Sequence, residues 1–148
     1  MRKNQEVQAN QQVLLEPRGP WGPRVLRVGG DLVYEIYVAS GHADRVERLP
    51  ISERHAHVLS TDVERYWFLF TALHHPYQLT ETRLSAERLT DYLDTILFAE
   101  QPVVEAFLTE LDHGSANGAL SNLLRIFVDA DYSRMRDGRW FGSIPMRR

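Results

Sequence analysis

The sequence predicts an α+β fold, in which a small N-terminal antiparallel sheet packs on a C-terminal bundle of about five helices. Three observations predict it. In the first third, alternating apolar residues flank a Gly-Gly pair, the period-2 signature of a hairpin. Beyond residue 50 the apolar positions recur every three to four residues, the helical period. All strand signals precede all helix signals, so the pattern is not that of a βαβ unit.

A single domain is expected over residues 1–148, a length sufficient for one core of ordinary size. Residues 1–12 are polar and expected to be flexible, 13–50 form the sheet region, 51–138 the helical region and 139–148 a tail. Residues 13–16 read as a short strand. Residues 17–24 hold three prolines and cannot continue a strand or a helix, so they read as a loop, with Trp21 plugging a core edge. Residues 24–39 read as a hairpin whose turn uses Gly29 and Gly30 for positive φ. In its second strand Leu32, Tyr34, Ile36 and Val38 share the core face. Residues 40–44 form a turn, and residues 45–49 a third strand with poor alternation.

Ser52 starts a helix with Ile51, His55, Val58 and Leu59 on one face. Residues 61–77 are the densest apolar stretch and read as the central helix. Thr61 is its expected N-cap, and Glu64 three residues on completes a capping box. Val63, Tyr66, Trp67, Phe70 and Leu73 recur at helical spacing, and Phe68 and Leu69 widen the stripe until it covers most of the circumference. A helix apolar nearly all round is buried on several sides. The run is far shorter than the roughly 20 residues of a membrane span. Pro76 ends it.

Residues 78–83 connect to a helix capped by Ser85 and stapled by Leu84 and Leu89. Leu89, Tyr92, Leu93, Ile96 and Leu97 form its inner stripe. Pro102 opens the next helix, with Val104, Phe107, Leu108 and Leu111 inward and Gly114 closing it. The last helix starts at Gly118 or Ala119, with Leu120, Leu123, Leu124, Phe127 and Val128 inward. It is expected to run through Tyr132 and Met135 to Gly138, with Asp131 as a cap or an interruption. Trp140 and Phe141 are expected to fold back on the core.

Composition narrows the chemistry. With no cysteine there are no disulfides, thiolate zinc sites or iron–sulfur clusters. Arg2 and Lys3 are followed by a polar run without an apolar leader, so the expected compartment is the cytoplasm. Net charge is −3 but unevenly spread, and residues 40–113 carry thirteen acidic against six basic groups. The sharpest imbalance spans residues 87–112, where Glu87, Asp91, Asp94, Glu100, Glu105, Glu110 and Asp112 face Arg88 alone. Such a run is either a solvated helix face or a surface for a basic partner.

Catalytic and ligand motifs are missing. His55 and His57 would point about 200° apart on a helix, and His74 and His75 also diverge, so neither pair holds a metal. Asp129 and Asp131 lack the rest of a calcium loop. No serine sits in a nucleophile elbow, and no glycine pattern matches a phosphate or dinucleotide loop. The expectation is a protein that is not an enzyme and uses neither metal nor cofactor. Arg134, Arg136, Arg139, Arg147 and Arg148, interleaved with Trp140 and Phe141, suit either a nucleic-acid grip or helix-end charges beside a core closure; a pI near 6.1 argues against nucleic acid.

Compact size, catalytic silence and the acidic helical face together resemble the immunity proteins of bacterial polymorphic-toxin systems. The resemblance implies a cytoplasmic inhibitor that blocks a cognate, basic toxin domain, with the seven acids of residues 87–112 as its contact face. The alternative is an α+β domain that binds a small ligand between sheet and helices, in an aromatic pocket near Tyr34, Trp67 and Phe70.

Overall fold

The computed structural model describes residues 11–39 and 44–145. The expectations for residues 1–10, for Ser40, Gly41 and His42, and for Arg147 and Arg148 lie outside the described residues. The fold is α+β. Strands β1 (Gln11–Leu15), β2 (Arg24–Val28), β3 (Asp31–Ala39) and β4 (Asp44–Ile51) form one antiparallel sheet in the order β1-β2-β3-β4. Six α-helices follow among the described residues: α1 (Glu53–Thr61), α2 (Val63–His74), α3 (Ala86–Phe98), α4 (Gln101–His113), α5 (Ala119–Val128) and α6 (Tyr132–Arg136).

Strand β1 already includes Gln11 and Gln12, which the sequence had assigned to a flexible end. The hairpin of β2 and β3 closes at Gly29, whose φ of 62° is the conformation that glycine adopts without strain. Leu32, Tyr34, Ile36 and Val38 are buried on the core face, as the alternation implied. Strand β4 is longer than residues 45–49 and pairs with β3 along its whole length, from Leu32 opposite Ile51 to Ala39 opposite Asp44. Its poor alternation has a cause. The covered positions Arg45 and Glu47 meet the segment after α2: the Arg45 guanidinium donates to the Tyr77 carbonyl, and Glu47 pairs with Arg83 at 2.5 Å.

Helix α2 is the centre of the molecule, and Tyr66 to His74 are buried without interruption. It packs against α1, α3, α4, α5 and β3. Its start corrects the expected cap. Thr61 is the last residue of α1, and its hydroxyl donates back to the His57 carbonyl at 2.9 Å. Asp62 is the N-cap, accepting the Arg65 N–H at 3.0 Å while its own N–H still closes α1 on Val58. An aspartate that ends one helix and starts the next leaves no room for a capping box at Thr61. Glu64 instead accepts the Gly142 N–H at 2.6 Å and fastens the C-terminal segment.

Trp21 does not plug the core. It is 54% exposed, sits at φ 68° in a turn closed by the Gly22 N–H on the Gly19 carbonyl, and meets Tyr37 edge-on at 5.3 Å. The hydroxyl of Tyr66 fills the position inside the loop, donating to the Pro23 carbonyl and accepting the Arg18 N–H at 3.1 Å. A Cβ on Gly22 would stand 2.7 Å from that hydroxyl, so the residue after Trp21 has to be glycine.

The last helix breaks in two. Asp129 takes the left-handed conformation, φ 60°, which ends α5, and the Asp131 carboxylate accepts the Arg134 N–H to start α6. Of the expected inner stripe, Leu120 and Leu124 are buried, Leu123 and Val128 are half-buried, and Phe127 is 37% exposed. Trp140 does fold back: it is fully buried, its indole N–H donates to Thr109 at 2.9 Å, and Phe141 meets Phe68 edge-on at 5.0 Å.

Candidate functional site

Helix α3 forms because Ser85 accepts the Arg88 N–H at 3.2 Å and Leu89, Tyr92, Leu93, Ile96 and Leu97 bury one stripe. The same period puts Glu87, Asp91 and Asp94 on the opposite ridge. Glu87 and Asp91 are exposed, with no ion-pair or hydrogen-bond partner for their carboxylates among the described residues. Asp94 is about half exposed and accepts from Nε2 of His55 at 2.8 Å. Glu100 is exposed at the N-cap position of α4 but makes no side-chain cap bond. Glu110 is exposed on the outer line of α4, in register with Val103 and Ala106.

Two of the seven acids leave the expected contact face. Asp112 is 2% exposed, and its carboxylate accepts the Ser121 N–H at 3.0 Å. The N-cap of α5 is Gly118, which has no side chain, so an acid from α4 satisfies the orphan donor of that first turn. Glu105 is half-buried and accepts the Phe141 N–H at 3.0 Å, holding the C-terminal segment on α4. The structure therefore gathers Glu87, Asp91 and Asp94 on one ridge, sets Glu100 and Glu110 beyond it, and commits Glu105 and Asp112 to the fold.

Sequence reasoning passed over one cluster. The α1 capping box pairs Ser52 with His55 rather than with a glutamate. The Ser52 N–H donates to Nδ1 of His55 at 3.0 Å, and the His55 N–H donates to Oγ of Ser52 at 3.2 Å. The imidazole stacks on Phe98 at 5.0 Å, with the Arg54 guanidinium 4.3 Å from that ring. Ser52, His55 and Asp94 thus stand in the order of a nucleophilic triad. The lone pair of Nδ1, however, already receives the Ser52 N–H, which places the ring proton on Nε2, toward Asp94. The trio is a helix cap extended into a tie between α1 and α3. A serine with a hydrogen-bonding side chain three residues later, at Ser52 and His55, was the available signal.

His57 is exposed and far round the helix from buried His55. His74 is buried and accepts the Ala39 N–H at 3.3 Å; burial and then the neighbouring His75 push its pKa below the ordinary value. Among the described residues no group of three or more His, Asp or Glu side chains is placed to hold a metal ion.

Of the three residues of the expected aromatic pocket, Tyr34, Trp67 and Phe70, only Trp67 borders a cleft. Tyr34 and Phe70 are fully buried; the Tyr34 hydroxyl has no hydrogen-bond partner among the described residues, and burial, then the nearby Tyr66, raises its pKa well above the usual value. Trp67 borders a cleft of about 480 Å³ where Arg18, Gly19 and Pro20 of the β1–β2 loop meet Phe127 of α5 and Ile144. A second cleft, of about 390 Å³, lies among the end of α2, the connection after it, α3 and the end of α4. Comparison with family models, with curated proteins and with solved structures gives no match for this chain. No helix among the described residues is long and apolar enough to cross a membrane.

Proposed function

We propose that this chain is a protein-binding inhibitor, a cytoplasmic immunity-type protein that holds a basic toxin domain against the outer ridge of α3. The supporting observation is the pair Glu87 and Asp91, exposed on one helical ridge without an internal cation. Four acids on other elements are matched within the chain: Glu35 by two arginines, Glu47 by Arg83, Glu53 by Arg27, Asp62 by Arg65. Unmatched surface carboxylates add little to folding, but they steer a basic partner and fix its orientation. Asp94 and Glu100 extend the same negative field along the helix and its end.

The experiment is co-expression of this chain with any toxin domain found encoded beside its own gene. The chain restores growth, and the double change Glu87→Lys and Asp91→Lys removes the protection while the protein stays folded and abundant. Failure of the unaltered chain to protect, or full protection by the double variant, overturns the reading.

A further inference from the structure

Arg88 is the one basic residue among the seven acids of residues 87–112, yet it pairs with none of them. Its guanidinium stands 5.9 Å from the centre of the Tyr92 ring and lines the 390 Å³ cleft. Glu81, from the connection between α2 and α3, lines the same cleft and also has no partner for its carboxylate among the described residues. A third charge there, Arg83, is already neutralised by Glu47 at 2.5 Å. Among the described residues, the cleft therefore holds a guanidinium and a carboxylate that have no ion-pair partner and do not meet each other. Ala72, Leu84, Leu111 and Leu120 give the lining an apolar part, beside polar His75, Thr82 and Ser115. The phenol of Tyr92, on a residue only 5% exposed, adds a hydrogen-bonding group that meets no partner among the described residues.

Opposite charges left apart beside apolar lining residues match a ligand that carries both charges beside an apolar body. The volume lies at the small end of ligand sites, which run about 300–1,000 Å³. We propose that this cleft binds a small amphipathic zwitterion, a free apolar amino acid or its chemical equivalent. Its carboxylate meets Arg88 in a charge-assisted, two-pronged contact, its ammonium group meets Glu81, and its side chain covers Leu111 and Leu120. The proposal is independent of the α3 ridge, because it needs neither Glu87 nor Asp91.

Isothermal titration of the purified chain with L-phenylalanine and L-leucine tests it, with hydrocinnamate (no ammonium) and phenethylamine (no carboxylate) as controls. One molecule of at least one of the two amino acids binds per chain, and both controls bind at least about tenfold more weakly. Arg88→Gln and Glu81→Gln each weaken the amino acid about tenfold or more; both positions are exposed, so unchanged circular dichroism is expected of the variants. No binding of either amino acid at millimolar concentration, a control that binds as tightly, or an affinity unmoved by either substitution overturns the proposal.

Discussion

On the outer face of the sheet, Arg24 and Arg48 share the carboxylate of Glu35 at 2.6 and 2.9 Å, whereas on the outer ridge of α3 Glu87 and Asp91 face solvent with no ion pair among the described residues. Topology explains the difference. Glu35 lies on β3, directly opposite Arg24 on β2 and Arg48 on β4, so cross-strand spacing brings two long basic side chains within reach. Helix α3 packs against α1, α2 and α4, and among the described residues only His55, from α1, reaches its outer ridge, at Asp94. An acid in this protein is neutralised when a neighbouring element supplies a donor, and left to solvent when none does. The acids turned inward show the rule at its strongest: Asp112, Glu105 and Glu64 each accept a backbone N–H from a distant segment.

The largest expected effect separates two acids of the same run, Asp112 and Asp91. Asp112→Ala leaves the Ser121 N–H of α5 without its acceptor in a buried place, and should cost about 1–3 kcal/mol in chemical denaturation. A loss no larger than that of Asp91→Ala would place Asp112 in the solvated class. Glu35→Gln comes next. It strips two arginines of their shared anion, but both remain partly solvated, so about 1–2 kcal/mol is expected rather than the 3–5 of a fully buried pair. Equal stability at low and high salt in the wild type and a silent Glu35→Gln would show that the network contributes nothing.

A smaller effect concerns pH. His74 is held neutral by burial, so its pKa in the folded chain lies below the ordinary 6.5. The unfolded chain therefore takes up a proton before the folded one does. The stability tied to His74 is complete above its ordinary pKa and drains away as pH falls below it toward the folded value. Melting temperature should drop between neutral pH and about pH 5, and His74→Gln, which keeps an acceptor for the Ala39 N–H, should flatten part of that slope. An identical slope in the variant would assign the acid sensitivity to other groups.

The fold class was legible because period decides it. Leu32 to Val38 alternate, and Leu89 to Leu97 recur at helical spacing, with no competing reading. Boundaries set by one side chain were less so. Thr61 and Asp62 are both good caps, and the choice turned on whether α1 ran to Thr61 or stopped short, which is a tertiary matter. Strand β4 looked weak because Arg45 and Glu47 occupy covered positions, and only the folded segment after α2 shows that they have partners there. Trp21 misled by type: a tryptophan among prolines suggests a plug, but Tyr66 already fills that space. In the candidate face, helical phase correctly placed Glu87, Asp91 and Asp94 outward. It could not reveal that Gly118 would leave α5 without a cap and draw Asp112 inward, because that contact joins two helices. The partner of Asp94 was equally hidden, since His55 lies 39 residues away.

The smallest expected effect on stability is the one that bears most on function. Reversing Asp94 or Glu105 is a poor test of the surface, because the first breaks the His55 tie and the second releases the Phe141 N–H. Glu87 and Asp91 are free of such duties. Glu87 lies in the first turn of α3, where a negative charge gains a few tenths of a kcal/mol from the helix dipole, so Glu87→Lys loses that and little else. Asp91→Lys sits mid-helix, with no partner to lose. Together they should change unfolding free energy by about 0.5 kcal/mol or less, the ordinary range for exposed sites. Association with a basic partner behaves differently. The reversals turn attraction into repulsion at encounter, and the rate constant should fall several-fold at low salt. Added salt should slow the wild type toward the variant, since exposed charges are screened beyond about 10 Å at 0.1 M. Stopped-flow association across a salt series reads both trends at once. If wild type and variant associate at the same rate with the same salt slope, the ridge is a solvated surface, and its contrast with the paired sheet carries no consequence for binding.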